Sequence, residues 1–349
     1  MHARWRRMDH TGRLRVWGFY GWFTALIFCG SIFGAAAWAA WLRYLLLFFT
    51  ANQSPADDAS VTQTEKYSLE AQGDVSFAVF LVAYAIEFLC LSAAKLMVLD
   101  RMMGFALPKA NALRMRWTAA GRVMMALVVA GNVVGLAANI VAAVYLKQLS
   151  DLDDEASAAL ACNNSLAASS YIDLGSHKVH AANVALSVQQ FCEVIVLLLI
   201  IFSFAFVGVF CIRRFSAAPP PARDVAADTS ASSRHLRRQI VTTVAVVFVT
   251  FILRASFSLI NSLANALQNN GSCSSDVSMC APTCYNTYAL MQGWLIYTPE
   301  FQLVVMLISS PLALLVALWG MTSERTLQQM ESSQLPMQTA RENLLSARA

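Results

Sequence analysis

Six apolar stretches, most of them about 20 to 30 residues long, constrain this chain more than any other feature. A helix of that length crosses the roughly 30 Å of hydrocarbon in a bilayer. Lipid offers no partner for open backbone groups, so spanning helices are the expected fold. The stretches fall at about Trp17–Phe49, Ser76–Val98, Ala119–Leu146, Gln189–Ile212, Gln239–Leu267 and Tyr297–Gly320. The first exceeds what a bilayer requires and is expected to tilt or project. Splitting it at Arg43 fails, because Tyr44–Phe49 is too short to cross. The segment Ala156–Ser170 is alanine-rich, but Asn163, Asn164 and its serines read as a loop. The expectation is an all-α membrane protein, a six-transmembrane-helix bundle. It comprises a basic N-terminus (1–16), a six-span domain (17–321) and a polar tail (322–349). Composition agrees: 57% of residues are hydrophobic and 13% charged, against about 25% charged in soluble domains.

Orientation follows from the connections. The N-terminus carries Arg4, Arg6, Arg7, Arg13 and Arg15, and the second-to-third connection Arg101, Lys109, Arg114 and Arg116. The fourth-to-fifth connection carries Arg213, Arg214, Arg223, Arg234, Arg237 and Arg238. Acidic residues fill the alternate connections: Asp57, Asp58, Glu65, Glu70 and Asp74, then Asp151, Asp153, Asp154 and Glu155. Lys/Arg enrichment in every other connection places both termini in the cytoplasm. The expected location is the plasma membrane or a secretory-pathway membrane. The first span has no small-residue cleavage pattern and reads as a retained anchor.

Cys162, Cys273, Cys280 and Cys284 fall in the predicted outer connections, an even set suited to disulfides in an oxidising compartment, with three pairings open. Outer sequons begin at Asn52, Asn163 and Asn270, with Asn163 farthest from a membrane boundary. These are the disulfide and glycosylation candidates. His177 and His180 lie outside, three apart, without a matched carboxylate, and no metal site is assigned to them.

Ionisable groups within spans point to function, because each costs at least about 2.5 kcal/mol at mid-bilayer. Glu87 and Arg254 lie near mid-depth with opposite signs, placed to pair across the bundle unless each is satisfied by its own neighbours. Thr250, Arg254, Ser258, Asn261 and Asn265 follow at helical spacing on one face of the fifth span. Asn132 and Asn139 share a face of the third span, and Glu193 sits in the outer part of the fourth. Arg254, Glu87, Ser258, Asn261, Asn265, Asn132, Asn139 and Glu193 form the candidate lining of an outward cavity. Lys95, near the cytoplasmic edge, is expected to snorkel. Gly30/Gly34 and Gly131/Gly135 are spaced for close helix contact.

No span contains a histidine, which excludes paired-histidine haem proteins, and the chain has neither a Gly-x-Ser-x-Gly elbow nor a P-loop. No enzyme activity, cofactor or metal is expected, and the modest net charge of +4 gives no reason to expect nucleic acid as a partner. The second span ends in Val98-Leu99-Asp100-Arg101-Met102, followed by Pro108 and basic residues. This resembles the end of the third helix in seven-span G-protein-coupled receptors. The chain departs from that pattern in lacking an Asn-Pro-x-x-Tyr motif and in being one span short, so no membership is drawn from it. The leading expectation is a receptor-like or sensor protein under a cysteine-rich lid. It would bind a small anionic or polar ligand through Arg254 and engage a cytoplasmic protein partner. A small-solute transporter or channel is the alternative, and a membrane scaffold or assembly subunit the second alternative.

Overall fold

The computed structural model describes residues 10–53, 59–106, 112–216 and 226–269, with a few helical positions between Thr287 and Trp294. Among these residues the protein is all-helical. Five long helices follow one another: α1 (His10–Gln53), α2 (Ala59–Ala106), α3 (Ala112–Ala161), α4 (Ser165–Ser216) and α5 (Ala226–Asn269). Four of them are long and apolar enough to cross a membrane, and α5 contributes the shorter apolar stretch Phe248–Ala264. The predicted sixth span at 297–320, the tail, Asn270 and Cys273, Cys280 and Cys284 lie outside the described residues. These features define a multi-pass α-helical membrane protein.

The helices have 44 to 52 residues, or about 65 to 80 Å at 1.5 Å per residue. A bilayer accounts for less than half of that. The excess of α2, α3 and α4 projects at one end, where α3 and α4 close into a hairpin. Cys162–Asn164 is the only break in the helical run between Ala112 and Ser216. The loop expected at Ala156–Ser170 is therefore two helix ends and a tight turn. Alanine favours helix strongly, and the serines of this stretch bond within and between helices instead. Ser169 and Ser170 each donate to a carbonyl three residues earlier, and Ser157 donates to Thr64 O of α2 at 2.9 Å. Asn163 makes the turn with a left-handed φ of 55°, a conformation asparagine tolerates. Asn164 Oδ1 then accepts from Ala167 N at 3.2 Å and caps α4. Cys162 at the tip is exposed and has no disulfide partner among the described residues.

Consecutive helices pack in order, α1 on α2 through α4 on α5, and α2 also touches α4. That contact gives α2 and α4 three helix neighbours each and makes them the inner pair. Small residues set the close approaches. A Cβ on Gly131 of α3 would come within 2.6 Å of Val196 on α4, and one on Gly30 of α1 would meet Cys90 and Leu91 of α2 at 3.4 Å. The packing role expected of both glycine pairs fits these distances. The main core joins Phe23, Phe88, Leu91, Val98, Val128, Leu197, Phe204 and Phe251. Large apolar side chains such as Trp22, Phe28, Leu46 and Phe202 point outward instead. Apolar surface outside and charge inside is the arrangement hydrocarbon solvent requires.

Candidate polar site within the bundle

The site is built where α2, α4 and α5 meet. Tyr84, Phe88, Leu91 and Lys95 lie within about 60° of one another around α2 at 100° per residue, and all four are buried. On α4, Gln189 and Glu193 are one turn apart; on α5, Arg254 and Ser258 are likewise. Glu193 is the hub. Its Oε1 accepts from Tyr84 Oη at 2.6 Å and from Ser258 Oγ at 3.0 Å, and its Oε2 accepts from Gln189 Nε2 at 2.9 Å. Arg254 Nη2 donates to Tyr84 Oη at 3.1 Å, and Arg254 Nε stands 3.6 Å from Glu193 Oε1. The guanidinium also lies over the Phe88 ring at 5.1 Å and the Tyr84 ring at 5.7 Å. Arg254 is 0% exposed and Glu193 4%. A charged pair this dry is tolerable only when its hydrogen-bonding capacity is well used, and this one holds several charge-assisted contacts.

The pairing expected between Glu87 and Arg254 is not the one formed. Glu87 lies three residues after Tyr84, about 60° around the helix, and that rotation turns it toward α1. Its carboxyl group packs on Gly34, where an added Cβ would come within 3.1 to 3.3 Å of it. Glu87 is 3% exposed and has no salt bridge among the described residues. The expectation for Lys95 is also corrected. It does not snorkel but is fully buried, with Nζ 4.4 Å above the centre of the Phe251 ring. Among the described residues that nitrogen has no hydrogen-bond partner, and neither does Ser92 Oγ one turn away.

The remaining candidates divide. Ser258 belongs to the cluster, whereas Asn261 is half-buried beside it, and Ser262 takes the fully buried position two turns beyond Arg254. The side chain of Asn265 lies outside the described residues. Asn132 and Asn139 are both buried on α3. Asn132 Nδ2 donates to Val128 O at 2.7 Å, and Oδ1 of each asparagine is without a partner among the described residues. Among the described residues, neither asparagine belongs to the Glu193 hydrogen-bond set. Gln189, Ser262 and Ser92 are not among the expected site residues. The Gln189/Glu193 spacing was the available signal, since two polar residues one turn apart share a face.

A second feature lies at the hairpin end. There α1 to α4 line an open cavity of about 370 Å³. Tyr44 and Phe48 of α1, Glu70 and Asp74 of α2 and Asp153 of α3 line it, with Ile172 and Val179 from α4. An aromatic column connects it to the buried cluster. Tyr44 stacks on Phe77 at 5.0 Å, Phe77 on Phe80 at 5.8 Å, Phe80 on Tyr84 at 5.6 Å, and Tyr84 on Phe88 at 6.5 Å. One end of the column is a cavity wall; the other, Tyr84 and Phe88, lies against Arg254, with the Tyr84 phenol bridging Arg254 and Glu193.

Comparison of the chain with protein families, with curated proteins and with solved structures finds no match.

Proposed function

We propose that this protein is a receptor-like membrane sensor whose ligand site is the hairpin-end cavity and whose switch is the Glu193–Tyr84–Arg254 cluster. The observation that carries this reading is the unbroken ring column from Tyr44 to Phe88, which touches both sites. Occupying the cavity displaces Tyr44. The displacement reaches Tyr84 through stacked rings that move as a packed unit, and Tyr84 Oη belongs to both the Arg254 and the Glu193 contacts. Losing or remaking those bonds shifts α5 against α4. The alternating charge of the connections supports placing the hairpin end outside. It also puts the basic segment 100–116 on the cytoplasmic face, where a protein partner would read the shift. In this reading the ligand does not touch Arg254, which is wholly buried and already paired, so an anionic ligand has no route to it.

One observation favours transport instead. Ser92 and Lys95 continue the buried polar surface on the far side of Arg254 from the hairpin, as a path through the bundle would require. Spin labels attached at Met103 on α2 and Arg238 on α5 separate these readings from a rigid scaffold. Tyr84→Phe removes the bridging hydroxyl with little change in packing. A sensor gives a second α2–α5 distance population in that variant. A single distance, identical to wild type, contradicts the sensor reading.

A further inference from the structure

We infer that the hairpin-end cavity binds a small organic cation with an apolar body, its charge set against Asp74 and Asp153 and its body against Tyr44 and Phe48. Three separate features converge there. The volume, about 370 Å³, lies within the few-hundred Å³ range of small-molecule sites. Tyr44 and Phe48 form part of its wall, and ring faces attract cations as well as apolar groups. The charge is one-sided: α2 supplies Glu70 and Asp74, α3 supplies Asp153, and α4 contributes only Ile172, Gly175, Ser176 and Val179.

No lysine or arginine lines the cavity among the described residues. Of the nearby cations among the described residues, only Lys66 meets a lining carboxylate, Glu70, which leaves Asp74 and Asp153 as the uncompensated pair. Lys66 pairs with Glu70 at 3.7 Å, Lys147 pairs with Asp151, and Lys178 lies over the Tyr145 ring at 5.7 Å. Asp74 and Asp153 have no ion-pair partner among the described residues. Carboxylates facing one another without a counter-charge repel, and a bound cation relieves that repulsion. An anion meets only like charge, and a neutral apolar molecule leaves the carboxylates uncompensated. The inference supplies a ligand class for the sensor reading and rests on that reading for its consequence, but not for the binding itself.

The test is thermal stability of the purified full-length protein in an uncharged detergent with benzyltrimethylammonium, whose charge does not titrate. Tetramethylammonium supplies charge without a ring, and benzyl alcohol a ring without charge. The benzyl cation raises Tm in a saturable way, and neither control matches it. Burial, and then the neighbouring carboxylates, push the Asp74 carboxyl up to about 8 and that of Asp153 up to about 7, so apparent affinity strengthens from about pH 5 to about pH 8 as both ionise. Asp74→Asn/Asp153→Asn weakens it roughly tenfold or more while folding at least as well without probe, because repulsion has been removed. Leu69→Trp, which fills the cavity and keeps both carboxylates, abolishes the shift. Equal stabilisation by benzyl alcohol, no shift with the benzyl cation, or full affinity in the double variant overturns the inference. Cation binding that leaves the α2–α5 distance unchanged sinks the sensor reading and not the site. A second distance population in Tyr84→Phe, with no cation binding, does the reverse.

Discussion

Arg254 and Lys95 are both fully buried cations in the same bundle, and their surroundings could hardly differ more. Arg254 meets a carboxylate, a phenol and two ring faces. Lys95 meets the Phe251 ring, and its ammonium nitrogen has no hydrogen-bond partner among the described residues. One region is a network in which Glu193 satisfies neighbours from three helices; the other is an amine set into the main apolar core. A network stabilises while complete and is costly to break in part. A lone amine in hydrocarbon is costly as it stands. The first region thus resists change at each of its members, and the second is held against its own energetic cost, as functional positions often are.

The largest effect that can break this contrast is at the hub. Glu193→Ala strands Arg254 and should destabilise the protein by about 3 to 5 kcal/mol, measured as unfolding in mixed detergent micelles. A loss under about 1 kcal/mol would mean that Arg254 is compensated elsewhere. Tyr84→Phe comes next, at about 1.5 to 3 kcal/mol, the range for hydrogen bonds to charged groups. Its thermal midpoint should fall with the near-ultraviolet circular dichroism of the other aromatic residues retained. The smallest effect has the opposite sign. Lys95→Met keeps the side-chain length and removes the amine, and should raise stability by about 1 kcal/mol. A fall of that size would show that Lys95 has a structural partner and is not held at a cost.

Much of this was legible in the sequence, and the errors have physical causes. Apolar length specified a helical membrane protein, because a bilayer constrains helix length in the same way everywhere along the chain. Arg254, Ser258 and Glu193 were legible as buried polar positions, since a charge in a span must face inward. Which carboxylate Arg254 meets was not. Depth can be counted along a helix, but helix rotation is set by packing, and small residues such as Gly34 decide it. Counting depth alone favoured Glu87 and missed the 60° that separates it from Tyr84. The Lys95 error is of the same kind: nearness to the membrane edge allows snorkelling only on a face that reaches water, and Lys95 faces Phe251. The Ala156–Ser170 error had a different source, reading serine and asparagine as loop formers in a stretch whose alanines continue two helices.

The most direct measurement of the central claim is a pair of double-mutant cycles on unfolding free energy, one joining Glu193→Gln with Arg254→Gln, the other Glu87→Gln with Arg254→Gln. The account predicts coupling of more than about 1 kcal/mol in the first cycle, the double variant recovering much of the single losses, and near-additivity in the second. Strong coupling between Glu87 and Arg254, with additivity between Glu193 and Arg254, would contradict it.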